Sequence, residues 1–227
     1  MRIHFHKTLG DLKERLLVMA GLAEQAVQRS IEAYNTRDLS LCDLVFQSEP
    51  AINRFQREID QMALDLLARE QPMAVDLRFI LAVLRINADL ERVGDQAVNI
   101  AARARDISTQ NNVDLPVDIP KLAKLASAMV RKSLQSFIEE DAAMANTVLT
   151  MDDEVDAMNR AAFTAITVLL QEHSELAPQA LSTLIIARNL ERVGDHATNI
   201  AEDVIFWVEG ADVRHGGDAI NSSQSMD

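Results

Sequence analysis

A stretch of twelve residues occurs twice in this chain. Residues 90–101 read Leu-Glu-Arg-Val-Gly-Asp-Gln-Ala-Val-Asn-Ile-Ala, and residues 190–201 read Leu-Glu-Arg-Val-Gly-Asp-His-Ala-Thr-Asn-Ile-Ala. Two positions differ, Gln96 against His196 and Val98 against Thr198, and the offset is one hundred residues. Self-similarity at a fixed offset is a statement about architecture before it is one about function. In a chain of 227 residues it implies two related halves of roughly a hundred residues, as one large domain or two small ones.

Aromatic residues make up 4% of the chain, with 7 Gly and 5 Pro, while Leu, Ala, Ile, Val and Met are plentiful. Straight-chain residues and Ala lose little on entering a helix, so the mix favours long helices over sheets. The formal net charge of −13 argues against a nucleic-acid partner, which clustered Lys and Arg would hold. An anionic membrane surface repels such a chain unless a metal or a partner protein intervenes. The single cysteine, Cys42, excludes an internal disulfide and fits a reducing compartment. The first seven residues lack the apolar core of a signal peptide, and no apolar run reaches membrane-spanning length. These features predict a soluble, cytoplasmic, all-α protein without direct membrane insertion.

Hydrophobic periodicity predicts six long helices in two three-helix bundles, residues 1–110 and 111–208, followed by a disordered tail at 209–227. Thr8 and Asp11 resemble a capping box for helix 1, whose seam runs Leu9, Leu12, Leu16, Met19, Ala23, Ala26 toward Asn35. Helix 2 either opens at Pro50 or is one longer helix from near Asp38 that Pro50 interrupts, and it reaches about Arg69. Gln71-Pro72 separates it from helix 3, about Met73 to Ile107, with a stripe through Leu77, Leu81, Leu84, Val93, Ala97, Ile100 and Ala104. Residues 109–117 read as a linker. Helix 4 begins near Asp118 and helix 5 near Met151. Ser174–Pro178 forms a turn with Ser174 as a candidate cap, and helix 6 runs to about Val208 through Leu181, Leu184, Val193, Ala197, Ile200 and Val204.

Within each copy of the repeat two carboxylates stand four residues apart: Glu91 with Asp95, and Glu191 with Asp195. On a helix such pairs share a face and repel by a few tenths of a kcal/mol. Gly94 and Gly194 sit in the same turns, at about 1 kcal/mol each relative to Ala. Both penalties occur twice, so something compensates them. Short hairpins suggest the partners. Counting back from the first turn sets Val93 level with Pro50, between Glu49 and Asn53. The second turn, centred on Leu176, sets Val193 near Asn159, within about two helical turns of Asp152 and Asp156. Facing oxygen-bearing pairs suit a hard cation, Mg²⁺, Mn²⁺ or an oxidised iron, better than Zn²⁺. Asn53, standing where the second half has Asp156, predicts a weaker first site. The glycines leave room for a cation or for a close helix. The competing reading is a solvated carboxylate face, with Arg92 reaching Asp95, Arg192 reaching Asp195 and Arg188 reaching Glu191.

The remaining candidates are weaker. His4 and His6 read as a solvated end, His196 as a surface residue, His173 and His215 as turn and tail residues, and Cys42 as inert. There is no phosphate-binding GxxxxGK[ST] loop, no GxGxxG, GxSxG or HExxH, and no nucleophile with an evident base, which argues against catalysis.

The doubled Leu-Glu-Arg-Val-Gly-Asp-x-Ala-x-Asn-Ile-Ala, together with Ala74-Val75-Asp76-Leu77-Arg78 after Gln71-Pro72, resembles the PhoU family of phosphate-transport regulators over most of the chain. The resemblance implies a fold of two similar three-helix bundles. It implies a cytoplasmic, often dimeric negative regulator of the phosphate-starvation response, peripheral to the inner membrane through its partners. Those partners would be the ATPase subunit of the phosphate ABC transporter and a sensor histidine kinase. It also implies metal ions held by E/D-x-x-x-D pairs, which map onto Glu91/Asp95, Glu191/Asp195 and Asp152/Asp156; Glu49/Asn53 departs at its second position, and residues 180–182 lack a counterpart of Asp76-Leu77-Arg78. The alternatives are a metal-dependent phosphohydrolase built on the clustered carboxylates, and a metal-free helical scaffold.

Overall fold

The computed structural model describes residues 2–110 and 113–214, with the side chains of residues 2–4 left aside; His4 as a ligand, His215, Asn111, Asn112 and tail residues 215–227 lie outside the described residues. The fold is all-α. Helices α1 (Arg2–Thr36), α2 (Leu39–Glu70) and α3 (Ala74–Ser108) form the first half. Helices α4 (Ile119–Glu139), α5 (Ala142–Glu172) and α6 (Ala177–Glu209) form the second. Within each half every helix packs on the other two, and α1 also touches α4. The broadest helix pairing in the molecule is α3 against α6, so the two copies of the repeat lie at the junction of the halves.

Several helix ends are set by their flanking residues. The Asp38 carboxylate accepts from Ser40 N at 2.9 Å and starts α2, which runs through Pro50 as one helix. Pro50 lies on the exposed side, where its missing N–H costs least. Gln71, in the left-handed region at φ 47°, ends it. The Asp118 carboxylate accepts from Lys121 N, and that of Asp141 from Met144 N, each at 2.9 Å, which opens α4 and α5. Gly210, at φ 73°, closes α6.

Four sequence expectations are corrected. Helix α1 starts at Arg2, so Thr8 and Asp11 are internal; Phe5, 9% exposed, gives the first turn a core anchor. Helix α5 starts at Ala142 and buries Ala142, Ala145 and Val148, because the α4–α5 turn uses Glu140 at φ 57° and the Asp141 cap, with neither Gly nor Pro to mark it. Leu77 and Leu181 are exposed, and Leu81 and Leu84 only partly buried. The core face set by Val83, Ile86, Leu90 and Val93 continues back through Phe79 and Ile80, which leaves position 77 on the other side. In α6, Ile186 and Ala187 lead back to the buried Ser182 and Thr183 in the same way. Finally, Ser174 makes no capping bond; residues Ser174–Leu176 form a short 3₁₀ turn.

One continuous core joins the halves. At one end the rings of Phe79, Phe137 and Trp207, from α3, α4 and α6, meet at centroid distances of 5.0–6.1 Å, with the Lys13 ammonium 5.5 Å from the Phe137 ring. At the other end the hydroxyls of Tyr34 and Thr183 lie 3.4 Å apart. Cys42 is buried, and burial pushes its thiol above the usual range.

Candidate metal centre

The α5–α6 groove gathers its carboxylates. Asp152 and Asp156 project from α5, and Asp195 from α6. One oxygen of each lies within 4.8 Å of the others. A hard cation with oxygens at about 2.0–2.4 Å spans at most about 4–5 Å between its ligand atoms, so the trio fits such an ion. Asp152 Oδ1 is buried and has no hydrogen-bond partner among the described residues. A buried carboxylate oxygen without a donor is costly, and a cation would satisfy it.

The electrostatics point the same way. Burial raises the Asp152 carboxyl above the ordinary carboxylate range; Asp195, Asp156 and Asp153 raise it further, against the Thr198 hydroxyl. Glu191 is raised by burial and then by Asp195 and Asp156, opposed by Arg188 and Arg192. Asp195 is raised by burial and by Asp156, opposed by His196 and Arg192. Negative groups brought together without enough counter-charge favour their protonated forms, and a bound cation reverses that preference. Of the arginines expected to neutralise the stripe, Arg192 and Arg188 form no ion pair within 4 Å among the described residues; Arg160 instead meets Asp156 at 3.1 Å.

The α2–α3 groove is the related but poorer version. Glu49 of α2 acts on Glu91 of α3, and Ile52, next to Asn53, packs against Gly94, next to Asp95. Burial raises Glu91, as do Asp95 and then Glu49, while Arg92 and His196 oppose. Arg92 Nε lies 3.6 Å from Glu91, where the spacing had suggested Asp95. Asn53 Oδ1 is buried without a partner among the described residues, the same orphaned-oxygen signature at the position equivalent to Asp156. With an amide there, this groove holds no trio of carboxylates like the second; among the described residues the Asp152, Asp156, Asp195 group is the one such cluster.

The glycines serve the helix approach. A Cβ on Gly94 would stand 3.0 Å from Ile52 Cδ1, and one on Gly194 would stand 3.3 Å from Val155 Cγ1. Ile52 and Val155 each lie between the two oxygen-bearing residues of their helix, so the glycines let those helices close the grooves. Pairing Gly94 with Ile52 and Gly194 with Val155 also corrects the expected level. The second hairpin centres between Ser174 and Glu175, midway between the end of α5 and the start of α6, so Val155 and not Asn159 faces the repeat.

Two polar clusters escaped the sequence reading. His196, expected at the surface, is half-buried against α3, with Nδ1 2.8 Å from Asp89 Oδ1; Asn199 Nδ2 donates to the same oxygen at 3.1 Å. The positions one hundred residues away are Asn189, Gln96 and Asn99, and that contrast was the available signal. The second cluster surrounds Asp203, fully buried, which accepts from Arg85 Nη1 at 3.3 Å and from Arg214. Arg214 therefore holds residues 211–214, expected to begin a disordered tail, against α6. Asn199 and Glu202 thus serve these clusters; Glu202 lies 3.6 Å from Arg214. His173 pairs with its neighbour Glu175 at 3.2 Å, and His6 is exposed. No described helix is long and apolar enough to cross a membrane.

The family model described as PhoU domain matches this chain twice, at residues 16–104 and 119–204. A Pseudomonas aeruginosa protein named phosphate-specific transport system accessory protein PhoU homolog is 35% identical over 214 residues, 94% of this chain and 88% of its own. The Serratia marcescens protein named phosphate-specific transport system accessory protein PhoU is 31% identical, covering 95% of this chain and 89% of its own. The crystal structure of PhoU from Pseudomonas aeruginosa superposes with a TM-score of 0.88 at 33% identity, over 91% of this chain and 100% of that one.

Proposed function

The chain belongs to the PhoU family, and on that premise we propose that it is a metal-binding adaptor that represses the phosphate-starvation response and modulates phosphate uptake. Relatives are named as accessory proteins of phosphate-specific transport, which supports a regulatory part in that system rather than an enzymatic one. In the proposal the protein works in the cytoplasm, as a homodimer, between the transporter's ATPase subunit and a sensor histidine kinase. It is peripheral to the inner membrane through those partners. The observation that carries the metal part is the Asp152, Asp156, Asp195 cluster with its orphaned Asp152 Oδ1. Mg²⁺, Mn²⁺ or iron would be held there, with Glu191 in support, and more weakly by Glu49, Asn53, Glu91 and Asp95 in the first half.

A bound cation supplies positive charge and coordination positions open to oxygen donors of a partner. This chain's own residues do the rest. Gly94 and Gly194 let α2 and α5 approach the repeated helices, and one continuous core underlies both grooves. The test is complementation in a bacterium lacking its own family member, read by a phosphate-starvation reporter in phosphate-rich medium. Wild type represses the reporter and Asp152→Asn/Asp195→Asn does not, although both accumulate equally. Full repression by a variant shown to hold no metal would refute the metal-dependent adaptor.

A further inference from the structure

We propose that the groove between α3 and α6 on the side of Arg103, Arg188 and Arg192 binds a compact oxyanion of the phosphate type. The groove is an open one of about 390 Å³, lined by Asn99 and Arg103 of α3 and by Ile185, Arg188, Asn189 and Arg192 of α6. Asn99 and Arg103 are four apart, as are Arg188 and Arg192, so each helix presents its donors along one face. Three arginines and two asparagines line one opening in a chain whose net charge is −13. Arginine forks match tetrahedral oxyanions, and their hydrogen bonds to an anion are the strong, charge-assisted kind.

The duplication provides an internal control. The positions one hundred residues away are Asn199, Asp203, Arg85, Ala88, Asp89 and Arg92. There Asp203 accepts from Arg85 at 3.3 Å and from Arg214, and Asp89 is engaged by His196 and Asn199. On that side the polar groups are partnered across the junction of the halves. On the groove side Arg103 replaces Asp203, Asn189 replaces Asp89, and Arg188 replaces Ala88. Arg103 pairs with Asp106 of its own helix at 2.8 Å. Arg188 and Arg192 are exposed and meet no carboxylate within 4 Å among the described residues, although both act on Glu191 from farther away. Asn189 is nearly buried, and one of its amide hydrogens goes to Ile185 O at 2.6 Å, which fixes the amide at the groove wall. The two sides of the repeated pattern differ: on one the polar groups meet partners across α3 and α6, and on the other Arg188 and Arg192 meet no carboxylate within 4 Å among the described residues.

The proposal does not rest on the metal centre, and the experiment separates the two. The full chain, stripped of metal with chelator, is titrated calorimetrically with inorganic phosphate, with a phosphate monoester (phosphoserine) and with sodium chloride as the ionic-strength control. The expected result is saturable phosphate binding at one site per chain, weakened about tenfold by Arg188→Gln or Arg192→Gln and more by the double variant. Arg57→Gln, an exposed position on α2, removes the same charge and leaves the affinity unchanged. Circular dichroism verifies that the variants, at exposed positions, stay folded. Stronger binding of the monoester than of phosphate would assign the groove to a phosphorylated ligand within the same oxyanion class. Absence of saturable binding by either anion, or binding equally weakened by Arg57→Gln, overturns the proposal and leaves the metal reading untouched.

Discussion

Replacing Asp203 with Asn should make the protein progressively more stable than wild type as pH rises. Asp203 is fully buried at the α3–α6 junction, and its Oδ2 has no partner among the described residues. Burial raises its carboxyl from an ordinary 3.8 to about 7, although Arg214 and Arg85 pull it down. At 1.36 kcal/mol per pH unit that difference corresponds to about 4 kcal/mol. The sign follows from proton counting. Between pH 4 and 7 the folded state keeps a proton that the unfolded chain has lost, so unfolding free energy falls by about 1.4 kcal/mol per pH unit and levels off above the folded value. An amide carries no such titration. Urea unfolding of metal-free wild type and Asp203→Asn, followed by circular dichroism, should therefore show the variant gaining about 3 kcal/mol relative to wild type between pH 5 and pH 8. That is a large fraction of the roughly 5–15 kcal/mol that stabilises a typical domain. The other raised carboxylates, Glu91, Asp152, Glu191 and Asp195, tilt both curves alike and cancel in the comparison. A difference that is flat with pH, or a variant that loses ground at alkaline pH, would refute the reasoning. It would mean that Asp203 is ionised when folded and held by its two arginines.

Two further outcomes follow from the packing. Gly194→Leu should destabilise by about 3 kcal/mol in urea unfolding, because even a Cβ stands 3.3 Å from Val155; a neutral effect would show that the α5–α6 groove is loose. Asp89→Ala should cost about 1–3 kcal/mol while unfolding stays a single transition, since His196 and Asn199 both lose their acceptor; a separate early transition of one half would contradict the continuous core.

The repeat made the architecture readable. Penalties that recur at matched positions, a glycine and two repelling carboxylates per copy, pointed to the grooves, where α5 brings Asp152 and Asp156 to Asp195 and α2 brings Ile52 against Gly94. What stayed hidden depended on contacts between the halves. Asp89 and His196 lie in different copies, and no periodicity within one helix shows that they meet. Helix α5 began earlier than expected because a left-handed Glu140 and a capping Asp141 do the work usually signalled by Gly or Pro. Leu77 and Leu181 look like core residues by type, but the three-neighbour environment of α3 and α6 fixes the buried face through Ile80 and Ile186 instead. The first groove's shortfall was visible from Asn53 alone, since an amide cannot bring the charge that Asp156 does.

The most direct measurement is the metal content of protein purified without chelator, by plasma mass spectrometry, for wild type, Glu91→Gln/Asp95→Asn and Glu191→Gln/Asp195→Asn. The account predicts Mg, Mn or Fe bound in a fixed ratio to wild type, most of it lost in the Glu191/Asp195 variant and a smaller part in the Glu91/Asp95 variant. Wild-type protein that holds no metal after dialysis against Mg²⁺, Mn²⁺ and iron would contradict it, and the carboxylate grooves would then be packing and partner surfaces only.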